Sequence, residues 1–139
     1  MPDAPLPPHA TVRIEVPRGS FIKRGADGSV DFLSPVPCPF HYGSVVGVAG
    51  QDGDPQDAVV LGRGGAAGSV HQLPVRACLR FVDEGLPDDK WICSDAPLRT
   101  IDQRALIAFF RFYGLVKRVN DRLRGKRGET GYRGFTRTR

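Results

Sequence analysis

The sequence predicts a mainly β (α+β) fold, a small barrel of short strands flanked by one long C-terminal helix. Three observations predict it. Short segments with alternating apolar side chains recur as far as Cys93. Gly- and Pro-rich turns separate them. After Ile101 the apolar period lengthens from two to about 3.6. Several strands followed by one helix is the order of a barrel with a helical layer against it.

Each element has a local cause. TVRIEV (11–16) puts Val12, Ile14 and Val16 on one face and Arg13 and Glu15 on the other, and Pro17 ends the run. RGSFIKRGADGSVDFL carries a hairpin signal in ADGS (26–29). SPVPCPFHYG holds three prolines in five residues and is excluded as a central strand. SVVGVAG and DAVVLG read as strands on either side of an aspartate-rich turn, and GRGGAAGSVHQLP as a flexible connection. VRACLRFV (75–82) alternates, with Val75, Ala77, Leu79 and Phe81 together; DEGLPDDK is a loop, and WIC restarts a strand. The apolar positions 101, 105, 109, 112, 116, 119 and 123 then form one stripe of an amphipathic helix, with Thr100 or Ser94 as its cap. RGKRGETGYRGFTRTR follows as a polar, Gly-rich tail. The expected organisation is a Pro-rich extension (1–10), a barrel domain with its helix (11–121) and a basic flexible tail (122–139).

At 139 residues the chain is one domain. It has no apolar run near the roughly 18–20 residues of a membrane span, and MPDAPLPPHA has neither the basic nor the apolar part of a leader. Cys38, Cys78 and Cys93 are odd in number and widely spaced, which fits reduced thiols and a cytoplasmic location. The net charge of +5 is uneven. Residues 122–139 hold seven basic groups and one acid, leaving 13 basic against 14 acidic elsewhere.

Acid is concentrated at two places. Asp52, Asp54 and Asp57 lie within QDGDPQD, and Asp83, Glu84, Asp88 and Asp89 within VDEGLPDDK. Carboxylates this close repel unless a cation lies between them. Oxygen-only sets suit Mg2+ or Mn2+, and a pair of such ions can lower the pKa of water beside a phosphorus atom.

The order EVPRGSFIK, PFHYG, DGDPQD, DEGLPDDK and FFRFY resembles the soluble family I inorganic pyrophosphatases, over roughly residues 12–118. The resemblance implies an OB-like five-stranded β-barrel, Mg2+-dependent hydrolysis of pyrophosphate, and a homo-oligomer. It implies that Asp52, Asp57, Asp83 and Asp88 hold a metal pair, with Glu15 holding a further ion through water. It makes Asp54 the general base, and Lys23, Lys90, Tyr42 and Tyr113 the phosphate contacts.

The chain also departs from the family. The family's KYE is Lys23-Arg24-Gly25, its arginine after the hairpin is missing from VDFLSPVP, Cys38 and His41 replace a tyrosine and an asparagine, and Gly114 replaces the lysine after the helix tyrosine. Two clamp cations are thereby lost, and restoring Gly114→Lys is expected to raise affinity. The basic tail leaves the helix that bears Tyr113, so an arginine from it is within reach of the site; its other use is contact with nucleic acid or another polyanion. Two rivals stand beside pyrophosphate hydrolysis: cleavage of another phosphoanhydride, and a non-catalytic OB-like module that binds RNA or a polyanion. GRGGAAG (62–68) lacks the ending of a phosphate loop. His41 reads as a structural hydrogen-bonding residue, His71 as a surface loop residue, and Trp91, Phe109, Phe110 and Phe112 as core.

Overall fold

The computed structural model describes residues 6–19, 22–24, 30–33, 40–62 and 65–138; the side chains of 22–24 and 30–33 are not among them. The strands are β1 (His9–Val16), β2 (Ile22–Arg24), β3 (Val30–Leu33), β4 (His41–Ala49), β5 (Pro55–Val60), β6 (Val70–Asp83), β7 (Leu86–Pro87) and β8 (Lys90–Cys93). Helix α1 (Thr100–Leu123) and a last strand, β9 (Gly131–Arg137), complete the chain. Hydrogen bonding runs β1-β4-β5-β8-β6, and β6 returns to β1, so five strands close a barrel. The β5–β8 pair is parallel. β2 and β3 form a separate antiparallel pair, as the hairpin reading requires; its ADGS turn lies outside the described residues.

The pleat sorts the apolar residues into two cores. Val12, Ile14, Val45, Ala58, Val60, Leu73, Val75 and Cys93 fill the barrel. Val59, Ala77, Leu79, Phe81 and Ile92 face outward and pack on Leu106 and Phe110 of α1. VRACLRFV therefore does not present one face. The β6–β8 register shifts between Val75 and Ala77, and such a bulge turns the strand's later side chains to the other side of the sheet. Val75 goes inward, while Ala77, Leu79 and Phe81 go to the helix. β6 also begins at Val70, within the stretch expected to be a flexible connection. His71 is accordingly a half-buried strand residue, its Nε2 3.0 Å from Ser69 Oγ, and not a loop residue.

The helix has its expected length but turns a different face inward. Leu106, Phe110, Gly114 and Asp121 are buried. From the expected stripe, Ile101, Phe112, Val119 and Leu123 are exposed. Phe112 is thus not core, whereas Phe110 is fully buried and Phe109 packs edge-on to Phe40 at 5.2 Å. The helix start is not capped by Thr100 or Ser94: Arg99 is the N-cap, and its backbone N–H donates to Asp102 Oδ2 at 3.1 Å.

The segment expected to be a loose tail is built into the sheet. β9 pairs antiparallel with β6 from Ala77↔Arg137 to Val82↔Gly131. Tyr132 and Phe135 pack on the helix-side core. Arg137 donates to Gln103 Oε1 at 2.6 Å and to the Leu98 carbonyl at 3.1 Å. The connection is pinned too: Glu84 N–H donates to Thr130 Oγ1 at 3.0 Å, and Gly85 N–H to the Glu129 carbonyl at 2.8 Å.

Where α1 meets β9 the backbones nearly touch. A Cβ on Gly114 would lie 2.9 Å from Gly131 Cα and 3.4 Å from Phe81 Cε2. Restoring a lysine at 114 therefore does not rebuild a clamp, as the sequence alone led one to expect. Overpacking against backbone costs about 1–3 kcal/mol, outweighing the roughly 1 kcal/mol of helix propensity gained on leaving glycine. We expect Gly114→Lys to melt several degrees below wild type, as read by scanning calorimetry.

Candidate active site

The same alternation that sends Val59, Ile92, Leu79 and Phe81 toward α1 sends Asp57, Lys90 and Asp83 there. Asp57 lies two residues before Val59 and opposite Lys90 in the β5–β8 register. Asp83 ends β6 on the face of Phe81. Tyr42 pairs with Val59 across β4–β5. Tyr113 stands on the helix face opposite, with its ring 5.7 Å from that of Phe81. Four strands and the helix thus bring these side chains to one end of the cleft between barrel and helix.

Lys90 is the centre of this group. It is 2% exposed. Its Nζ lies 2.7 Å from Asp57 Oδ2 and 2.8 Å from Asp88 Oδ2. The ammonium also sits over the rings of Tyr42 and Phe81, at 5.7 and 5.4 Å. Burial opposes its charge, but the two carboxylates outweigh burial, and its pKa is raised above the ordinary lysine value. Burial first, and then the charge of Asp57 against that of Lys90, pushes Asp88 up to about 6. Burial and the neighbouring Asp57, to which it hydrogen-bonds, hold the Tyr42 hydroxyl well above its usual value. Two acids against one ammonium leave this cluster with an excess negative charge in the absence of further cations.

That excess has a measurable sign. A carboxyl whose pKa rises on folding favours the folded state while protonated, and this contribution is lost as pH rises from about 4 to about 6. In chelator, Asp88→Asn should raise the melting temperature at pH 8 relative to wild type, and the difference should vanish near pH 4. Thermal melts of the two proteins across that range check it.

Asp83 forms a second pair. Lys117 Nζ lies 2.5 Å from Asp83 Oδ2, with both side chains about a quarter exposed. Lys117 carries no signal in the motif; only its place one turn after Tyr113 on the same helix face marks it. Asp83 Oδ1 is buried and has no hydrogen-bond partner among the described residues.

The aspartate turn lies before β5. Gly53 takes φ of 89°, and Asp54 N–H donates to Asp52 Oδ1 at 3.1 Å. Asp54 is exposed. Asp52, Asp57 and Asp88 border a cavity of about 840 Å³ that Cys78, Arg80 and Trp91 also line, whereas Lys90, Tyr42, Asp83 and the residues of α1 do not line it. Glu15 lies in β1 and is engaged within the fold. Lys23 lies in β2, opposite Phe32, and its side chain is outside the described residues, as is Cys38. His41 Nδ1 accepts the Arg18 N–H at 3.1 Å, a structural use as expected.

The donor set suits a hard divalent cation: all its atoms are oxygens, and the buried Asp83 Oδ1, without a hydrogen-bond partner among the described residues, is an acceptor open to one. Among the described residues no three acids or imidazoles converge as a ready cage. Ammonium groups stand between them instead, Lys90 on Asp57 and Asp88, Lys117 on Asp83.

A family model described as inorganic pyrophosphatase matches residues 12–108. The inorganic pyrophosphatase of Gluconobacter oxydans (strain 621H) is 35% identical over 100 residues, covering 66% of this chain and 58% of that protein. The chain thus spans less than two thirds of the length of this curated relative. Inorganic pyrophosphatase from Thermus thermophilus superposes with a TM-score of 0.75 at 25% identity, covering 99% of this chain and 87% of that one. The protein from Helicobacter pylori gives 0.73 at 25% identity, over 94% and 85%. No helix among the described residues is long and apolar enough to cross a membrane.

Proposed function

The chain belongs to the inorganic pyrophosphatase family, and on that premise we propose that it hydrolyses pyrophosphate to two phosphates in the cytoplasm, with Mg2+ as the working ion. One observation carries the reading: a buried ammonium held between two carboxylates, facing two tyrosines in the cleft between barrel and helix. Asp52, Asp57, Asp83 and Asp88, with Glu15, are the residues that would hold the ions. Bound there, divalent ions lower the pKa of water and neutralise phosphate oxygens.

The chain's own groups do the rest. Lys90 has three N–H groups and the two carboxylates take one each, so the third is free to meet a phosphate oxygen. Held over the rings of Phe81 and Tyr42, the ammonium is preorganised and needs no reorganisation as charge develops. Tyr113, whose hydroxyl burial keeps protonated, donates a hydrogen bond from the opposite wall. Asp54, exposed on its turn, is assigned the attacking water's proton at its carboxylate oxygen.

Phosphate release from pyrophosphate, with Mg2+ and with chelator, tests the proposal; no release at any divalent concentration refutes it. A second reading, cleavage of a bulkier phosphoanhydride, rests on the missing clamp cations, with Gly114 in place of a lysine, which leave room for a larger group. A nucleoside diphosphate in the same assay tests it. Self-association belongs to the proposal as well, supported by the apolar line Ile101, Phe112, Leu115 and Val119 exposed along the outer side of α1. Sedimentation analysis reads it directly.

A further inference from the structure

We propose that Lys117 is a second substrate-binding cation of this site, held on Asp83 until that carboxylate takes up a divalent ion and then turned to a phosphate oxygen; the inference rests on the pyrophosphatase reading above. Four observations carry it. The Lys117 ammonium touches Asp83 Oδ2, while the other oxygen of that carboxylate is buried without a hydrogen-bond partner among the described residues. A residue four after Tyr113 projects from the same side of the helix, over the next turn. Position 114, next to Tyr113, is closed to any side chain by Gly131 and Phe81. Lys117 is also close enough to Tyr113 and Lys90 for their charges to be felt at its nitrogen.

The charge balance gives the direction of the exchange. Without divalent ions, Lys90 offsets one of the two charges of Asp57 and Asp88, and Lys117 offsets that of Asp83. Once those carboxylates serve as ligands, two neighbouring ammonium groups lose their counter-charge in a poorly solvated cleft. An anion with several charged oxygens is then the partner they lack. Lys90 is locked in place, but Lys117 is a quarter exposed and its four-carbon stem lets it swing without crossing the core. The cation missing from position 114 is thus supplied one turn along the helix, and the basic C-terminal strand is not needed for it.

The experiment uses the full chain with Lys117→Gln and Lys117→Arg, circular dichroism confirming the fold. Calorimetry first titrates Mg2+ alone, then inorganic phosphate at saturating Mg2+. Lys117→Gln should bind Mg2+ several-fold more tightly, because no ammonium competes for Asp83, and phosphate several-fold more weakly. Lys117→Arg should keep phosphate affinity near wild type. With pyrophosphate, Lys117→Gln should raise KM more than it lowers kcat. Unchanged or weaker Mg2+ binding in Lys117→Gln, or unchanged phosphate binding, overturns the proposal and leaves Lys117 a helix-anchoring ion pair. If Lys117→Gln does not fold, loss of phosphate binding in Lys117→Arg overturns it as well. If the wild type releases no phosphate from pyrophosphate, the pyrophosphatase reading fails, while the two calorimetric titrations still decide the role of Lys117.

Discussion

Asp57→Asn is expected to lower pyrophosphate turnover by about 10²–10³-fold, the scale for losing one preorganised charge at a reacting centre, and to weaken Mg2+ binding with it. The fold should survive. Asp88 remains 2.8 Å from Lys90 and keeps the buried ammonium paired, and the excess negative charge of the cluster disappears. Asp54→Asn should behave differently. Asp54 is exposed on its turn, so its loss should lower turnover with Mg2+ affinity nearly unchanged. Calorimetric titration beside phosphate-release kinetics on both variants separates the roles. Equal loss of Mg2+ binding in the two refutes the division.

The second large effect is on stability. Truncation after Asp121 should not leave the body intact, although the sequence reads residues 122–139 as a loose tail. It removes the hydrogen-bond partner of β6 from Ala77 to Val82. It uncovers Phe81, 1% exposed in the fold, and strips Tyr132 and Phe135 from the helix-side core. Half-burial of two aromatic side chains is worth about 2–3 kcal/mol, and a lost strand edge adds to this. Against a total stability of about 5–15 kcal/mol, the melting temperature should fall by roughly 10 °C or more. A melt within a degree or two of the full chain would show that β9 contributes nothing.

The barrel strands were legible because each buries a face, and a period of two survives in Val12-Ile14 and in Leu79-Phe81; Val16, expected on the face of Val12 and Ile14, follows a register shift and joins the helix-side core instead. The helix was legible in length, but its inward face was not. Positions 106, 110, 114, 117 and 121 read Leu, Phe, Gly, Lys and Asp, so a count of apolar residues prefers the more regular outer line. Close backbone contact needs the glycine, and the site needs the lysine; neither looks like core. β9 was hidden by its arginines, although Tyr132, Phe135 and Thr136 are strand formers. The site was legible where the motif fixes it: the structure brings Asp57, Asp83, Asp88, Lys90, Tyr42 and Tyr113 to one end of the cleft. Lys117 escaped because a motif assigns a cation to a position, whereas the fold requires one only in a region of space.

The pairing of β9 with β6 also sets an order of events during synthesis. Gly131 is made 49 residues after its partner Val82, and at about 5–20 residues per second the ribosome needs roughly 2–10 s to reach it. Through that interval one edge of β6 lacks its final neighbour, and an uncovered edge beside apolar side chains recruits strands from other nascent chains. Arg76 and Arg80, spaced along that same edge, put charge into every intermolecular pairing it could make.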